Sequence, residues 1–414
     1  MFTITNIRFF IIIRFNFCGF KNSLYLYARL QTNEMLRSKL PESAKTALKD
    51  LTKLAQSDEC IDLMTTVPDC DMPLPLRERI ISRISDSNCH YAPLEGIPQL
   101  RRTMAKYYDK TFGHRYNPET ELTVTSGSSP AVWAAITALI HEDDEVIIME
   151  PSHSNYVPAI KINGGTPIFL SLKYPEYQVD WSELNRMINQ RTKMIIINSP
   201  HIPSGRIFTD EDFRNLQKIV VGNKITVLAD ETLSTTAYEK PYISAAKYPS
   251  LAKQSILISS LSKCLDATGW KAGICAAPAD ITKEIRRFHS HICNGGNAVA
   301  QYAINDIISE DEELFFKIRD SYKAKRDLLC SLLKDSRYKF TPAEGSWFQL
   351  VDFSGVSKES DRDFCLRLAR EYGVAAYPMS AYYHDKTKTS VIRICFARQD
   401  DTIREGVRRM LNYK

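Results

Sequence analysis

Four short apolar runs constrain this 414-residue chain more than any other feature. They are Glu145-Val146-Ile147-Ile148-Met149, Lys193-Met194-Ile195-Ile196-Ile197-Asn198, Ile225-Thr226-Val227-Leu228-Ala229-Asp230, and Ile256-Leu257-Ile258 leading into Ser259-Ser260. None shows the in-and-out polar alternation of a half-solvated strand, so each reads as a strand buried on both faces. Strands at about 146–149, 194–198, 225–230, 255–260 and 272–276, mostly separated by crossover-length segments, predict an α/β domain with a largely parallel sheet. Ligands on such sheets gather beyond the carboxyl ends of the strands. Asp230, Ser260 and Lys263 all fall there.

Lys263 follows three hydroxyl residues in Ser259-Ser260-Leu261-Ser262-Lys263-Cys264-Leu265-Asp266-Ala267-Thr268-Gly269-Trp270-Lys271. An amine at the end of a core strand can form a Schiff base with an aldehyde, and its surroundings can lower its pKa enough to make it nucleophilic. Ser260 and Lys271 suit a phosphate, one as a hydroxyl donor and the other as a point charge. An aldehyde that also carries a phosphate is pyridoxal phosphate. The bland alternative is an ordinary solvated lysine.

Leu122-Thr123-Val124-Thr125 reads as a strand running through Ser126-Gly127-Ser128-Ser129-Pro130 into an apolar helix. Free amides and the dipole at such a helix start attract phosphate, making Gly127, Ser128 and Ser129 a candidate cradle; the alternative is a capped helix without a ligand. Near the other end of the chain, Ser390-Val391-Ile392-Arg393-Ile394-Cys395-Phe396-Ala397 reads as a strand with a guanidinium at its centre. Arg393 there needs an anion, either a carboxylate ligand or a structural ion pair.

A net charge of +5 spread over this length, with no basic patch carrying interleaved aromatics, gives no argument for nucleic acid. No Gly-x-Gly-x-x-Gly supports a dinucleotide site. The ten cysteines form no Cys-x-x-Cys pair and no zinc-spaced cluster, and read as free thiols of a reducing compartment. Residues 1–33 lack Asp and Glu but hold Arg8, Arg14, Lys21 and Arg29 among apolar residues. That balance fits either an organellar presequence or upstream translation before a start at Met35. The run Phe9–Ile13 is too short to span a bilayer, so no membrane is implied. The expected location is the cytoplasm, or the mitochondrion if the presequence is genuine.

Ser-Ser-Leu-Ser-Lys followed by Thr-Gly-Trp-Lys resembles the lysine signature of class I aminotransferases of PLP fold type I, most like the kynurenine/glutamine and methionine branch. Tyr91-Ala92-Pro93-Leu94-Glu95-Gly96-Ile97-Pro98-Gln99-Leu100-Arg101, Glu344–Phe348 and Gly373–Ser380 extend the resemblance over about residues 60–412. It implies a large domain with a mostly parallel central sheet and a smaller α/β domain. The implied division is an N-terminal extension at 1–34, an arm and part of the small domain at 35–85, the cofactor domain at 86–300 and the C-terminal small domain at 301–414. It also implies a homodimer acting on an amino acid and a 2-oxo acid. By the same resemblance Lys263 carries pyridoxal phosphate, Asp230 pairs with its ring nitrogen and Arg393 holds the substrate α-carboxylate. Tyr91 reaches the cofactor phosphate of the neighbouring subunit.

Several positions depart from the family pattern. Met64-Thr65-Thr66 stands where a Gly-x-Gly lets the backbone approach the substrate, which puts Thr66 at that contact. His153 occupies the place of the aromatic ring that covers the cofactor; an imidazole stacks with less area and also moves protons. Ile202 and Leu233 replace an asparagine and a tyrosine that donate to the cofactor's phenolic oxygen, and aliphatic side chains cannot donate. Asn294-Gly295-Gly296-Asn297 implies either room for a larger substrate or an ordinary turn. Beside an aminotransferase, these departures motivate a rival: a PLP-dependent lyase, oxidase, decarboxylase or cyclase of a specialised pathway. A silent homologue kept for binding is a third reading.

Overall fold

The computed structural model describes residues 48–86, 90–385 and 387–413; the 1–34 extension, Cys18 and Cys89 lie outside them. Strands run in chain order as β1 (Ile61–Asp62), β2 (Leu122–Thr125), β3 (Glu145–Glu150), β4 (Thr166–Ser171), β5 (Thr192–Asn198) and β6 (Thr226–Asp230). They continue as β7 (Ser255–Ser259), β8 (Gly273–Ala276), β9 (Phe348–Asp352), β10 (Val374–Ala375), β11 (Tyr377–Pro378) and β12 (Val391–Cys395).

The main sheet has the order β2-β8-β7-β6-β5-β3-β4. The five strands from β4 to β7 pair parallel, and β8 runs antiparallel to both β7 and β2. The largely parallel sheet is therefore as expected. Side-chain alternation splits the apolar runs between two cores. Val146, Ile148, Met194, Ile196, Leu228, Ile256 and Ile258 pack with Ala131, Val132 and Ala135 of helix Ser128–Leu139, whereas Ile147, Ile195, Val227 and Leu257 join the core on the opposite face. Burial on both faces is what an unbroken apolar run requires.

β4 escaped the sequence reading. It is a half-solvated edge strand with Pro167 in it, and proline is tolerated in sheets mainly at such edges.

The last hundred residues supply the antiparallel sheet β11-β12-β9, while β1 pairs in parallel with β10, so the start of the described chain is bound to its end. The turn at Asn294–Asn297 leaves no extra space. A Cβ on Gly295, whose φ is +82°, would stand 2.3 Å from the Ala92 carbonyl oxygen, and one on Gly296 would stand 2.8 Å from Gln301 Nε2. Close packing at these glycines fits the reading as an ordinary turn.

Candidate active site

The ends of the parallel strands are in register. Asn198 pairs with Asp230 and Asp230 with Ile258, so β5, β6 and β7 finish side by side just before Ser260. Ser260 then caps the short helix Leu261–Cys264, its Oγ accepting from Lys263 N at 3.4 Å. This turn delivers the Lys263 amine to the carboxyl edge of the sheet. Burial lowers its pKa from the ordinary lysine value; the Asp230 carboxylate opposes that shift, while Lys271 adds to it. The three side chains thus share one electrostatic environment.

Asp230 is buried and held from two directions. Tyr156 Oη donates to its Oδ2 at 2.6 Å, and Thr232 N donates to its Oδ1 at 3.2 Å. Tyr156 starts the helix Tyr156–Ile162, and the His153 ring lies 5.7 Å from it, tilted by 47°. Asn155 N donates to His153 Nδ1 at 3.3 Å, and Asn155 Nδ2 donates to Ser129 Oγ at 2.9 Å. One connected chain of contacts therefore runs from the start of helix Ser128–Leu139, past His153 and Tyr156, to Asp230.

Gly127 caps that helix with φ 97° and ψ 171°, a backbone state essentially reserved for glycine. Lys271, itself left-handed at φ 53°, lies against it: a Cβ on Gly127 would be 3.8 Å from Lys271 Cδ. Two serine residues and free amides at a helix start, with an exposed ammonium alongside, match the charge and donor needs of a phosphate. A buried carboxylate suits a protonated ring nitrogen, and an amine of lowered pKa suits an aldehyde. The residues present fit pyridoxal phosphate.

Arg393 is 1% exposed at the centre of β12. No carboxylate among the described residues pairs with it. Its Nη1 donates to Tyr382 Oη at 2.5 Å, its Nη2 donates to the Met64 carbonyl, and its Nε has no partner among them. The Phe348 and Tyr377 rings lie 4.2 and 4.7 Å from the guanidinium carbon. The anion expected from sequence is thus not a side chain of the described chain.

The segment before it is fixed by a residue that sequence reasoning missed. Arg398 donates to the carbonyls of Asp62, Val67 and Thr65 at 2.6, 2.6 and 2.9 Å, and Asp62 Oδ1 accepts from Met64 N and Thr65 N at 2.8 and 2.9 Å. Thr66 is exposed two residues beyond the carbonyl that meets Arg393. Tyr91 is 82% exposed. Ile202 and Leu233 are buried, and Asn198 accepts from Ile202 N at 2.7 Å while donating to the Asp230 carbonyl at 2.8 Å.

A lysine and a carboxylate at the carboxyl ends of a mostly parallel sheet, with a helix start shaped for phosphate, define an α/β enzyme of PLP fold type I. Residues 50–410 match the family described as Aminotransferase class I and II, and the chain belongs to that family. It is an enzyme that uses pyridoxal phosphate to move an amino group between an amino acid and an oxo acid. Methionine aminotransferase of Escherichia coli K12 is 36% identical over 375 residues, covering 90% of this chain and 97% of that protein. A crystal structure of an Escherichia coli protein with a methionine aminotransferase function superimposes with a TM-score of 0.86 over 90% of this chain and 98% of that one, at 36% identity. Kynurenine–oxoglutarate transaminase of Dictyostelium discoideum is 26% identical over 405 residues, covering 88% of this chain and 93% of that protein.

Proposed function

We propose that this aminotransferase takes the amino group from a neutral, methionine-type amino acid and passes it to a 2-oxo acid, using Lys263 as its proton carrier. The observation that carries the reading is a partly buried lysine of lowered pKa that shares its environment with Asp230, one strand away. The likeness to methionine aminotransferase supports the choice of amino acid.

Pyridoxal phosphate, when bound, supplies an aldehyde for the amine and a ring that draws electron density from the substrate Cα. Gly127, Ser128, Ser129, Ser260 and Lys271 hold its phosphate, with Tyr91 of a second copy completing that end. Asp230, fixed by Tyr156 and Thr232, would pair with the ring nitrogen. His153 would cover one face of its ring. Lys263 would hold the aldehyde and, as a neutral amine, would carry a proton to and from the substrate Cα. Lowering its pKa raises the fraction of amine that can accept a proton near neutral pH. Arg393, together with Thr66, would grip the α-carboxylate and so turn the Cα–H toward that amine.

The homodimer reading is supported by Tyr91, Leu94, Ile81 and Ile84, all apolar or aromatic and all exposed, which a second copy would cover. We assign the parallel sheet to a large domain at 86–300, with 35–85 read as an arm and part of the small domain and 301–414 as the C-terminal small domain. Eight cysteines among the described residues are free, as a reducing cytoplasm would keep them. No helix among the described residues is long and apolar enough to cross a membrane.

The test is spectroscopic and kinetic. Purified wild-type protein is expected to be yellow, and Lys263→Ala to lack the visible band of the lysine-bound cofactor. Mixed with L-methionine and no oxo acid, the wild type should accumulate pyridoxamine phosphate. Release of ammonia, carbon dioxide or peroxide without pyridoxamine phosphate would refute transamination.

A further inference from the structure

The hydrogen-bond arithmetic around Arg393 leaves one proton unassigned. A guanidinium only donates, so in the 2.5 Å contact between Arg393 Nη1 and Tyr382 Oη the tyrosine oxygen is the acceptor. The tyrosine's own O–H remains to be given to something else. Tyr382 Oη makes no second hydrogen bond among the described residues, and its side chain is only partly covered. Beside it, Arg393 has an unpaired Nε and no carboxylate partner there. Two donors of adjacent side chains therefore lack an acceptor.

The tyrosine is also held where it stands. It ends the 3₁₀ turn Met379–Tyr382, and its carbonyl accepts from Ser152 N at 3.0 Å, just beyond β3. Two residues on, His384 N and Nδ1 contact the two carboxylate oxygens of Glu150 at 2.9 and 2.7 Å, and the His384 ring stacks on Phe169 at 4.0 Å. The Tyr377 ring lies 5.0 Å from the Tyr382 ring. Burial raises the Tyr382 pKa above that of a free phenol, and Arg393 opposes the shift. The hydroxyl keeps its proton at neutral pH.

We propose that Tyr382 is a second carboxylate-binding residue: it accepts from Arg393 and donates its own proton to the substrate α-carboxylate, which is gripped by both side chains together. This rests on the reading of Arg393 given above. A short charge-assisted O–H bond adds affinity, and the accepted bond fixes the plane of the guanidinium before substrate arrives.

Tyr382→Phe removes only the hydroxyl and keeps the ring. The probes are L-methionine as substrate, 4-(methylthio)butanoate as the same skeleton without its amine, and 3-(methylthio)propylamine as the skeleton without its carboxylate. For the variant holoenzyme we expect KM for L-methionine and the calorimetric Kd for 4-(methylthio)butanoate to rise about tenfold, the size of one hydrogen bond to a charged group. We expect kcat to change less than about threefold and the Kd of the amine to stay within about twofold. An unchanged Kd for the carboxylate, or equal weakening of carboxylate and amine, overturns the proposal. Arg393→Lys separates the two readings. If that variant loses carboxylate affinity while Tyr382→Phe does not, the role of Tyr382 alone fails; if the wild type and Arg393→Lys bind the carboxylate equally, or neither binds it, the Arg393 reading fails with it.

Discussion

Glu231 follows Asp230 in the chain and carries a charge that the fold does not favour. Its side chain is 2% exposed; Ser244 Oγ donates to its two oxygens at 2.9 and 2.8 Å and Ala245 N donates at 3.0 Å. Burial outweighs these bonds and pushes the carboxyl from 4.5 up to about 7. The folded state therefore holds this proton more tightly than the unfolded chain does. Measured against the ionised carboxylate, the proton's stabilisation is complete below pH 4.5 and is lost as pH rises to about 7; beyond that the fold carries the whole cost of a buried charge.

Glu231→Gln removes the titration and keeps the shape. The amide oxygen can still accept from Ala245 N, and the amide nitrogen can donate to Ser244 Oγ. With one pKa unit worth about 1.4 kcal/mol, integration between pH 5 and pH 8 gives about 2.5 kcal/mol lost by the wild type alone. Urea unfolding followed by tryptophan fluorescence at pH 5, 6, 7 and 8 measures this directly. The stability of the variant minus that of the wild type should rise by about 2.5 kcal/mol across the range, with most of the change complete by pH 7 to 8. Parallel curves, within about 0.5 kcal/mol throughout, would refute the claim that Glu231 is charged at a cost.

Arg398→Lys keeps the charge but loses the fork that spans three carbonyls of the 62–67 segment. Two part-buried acceptors left without this donor should cost about 1–2 kcal/mol in urea unfolding, and the KM for L-methionine should rise because the Met64 carbonyl is a partner of Arg393. Gly127→Ala meets no clash, since the nearest atom would be 3.8 Å away, so backbone strain decides its effect. We expect about 1–3 kcal/mol of destabilisation and, in a titration of the apoprotein with pyridoxal phosphate, a Kd at least about tenfold higher.

The centre of the fold was readable because its strands are buried on both faces and so are written as unbroken apolar runs. β4 was not, because an edge strand needs neither continuity nor freedom from proline. Lys263, Asp230 and the helix start at Ser128 were legible for a related reason: each sits at the end of an easily recognised element. Their supports were not. Tyr156 lies 74 residues from the aspartate it serves, and Arg398 lies 333 from Thr65. Only a weak signal pointed to either: a tyrosine in an apolar helix needs a partner for its hydroxyl, and a second arginine close behind Arg393 needs acceptors. Gly295 left two readings open. Sequence shows a missing side chain, and only the fold shows that the Ala92 carbonyl uses the space.

The departures at Ile202 and Leu233 can be weighed in the same way. Both side chains are buried in the core, and the backbone N–H of Ile202 is already given to Asn198 Oδ1. Neither can donate to an oxygen placed beside it. In the reading proposed above, Ser128, Ser129 and Lys271 hold one part of the occupant, Asp230 with Tyr156 a second, and Arg393 with Tyr382 a third. An occupant fixed at its ends keeps its geometry without a grip in the middle, because orientation needs separated anchors more than many of them. In that reading the apolar residues Ile202 and Leu233 would bear on the electronics of the bound group rather than on its placement. That is consistent with a chain that belongs to the aminotransferases while departing from their pattern at these two positions.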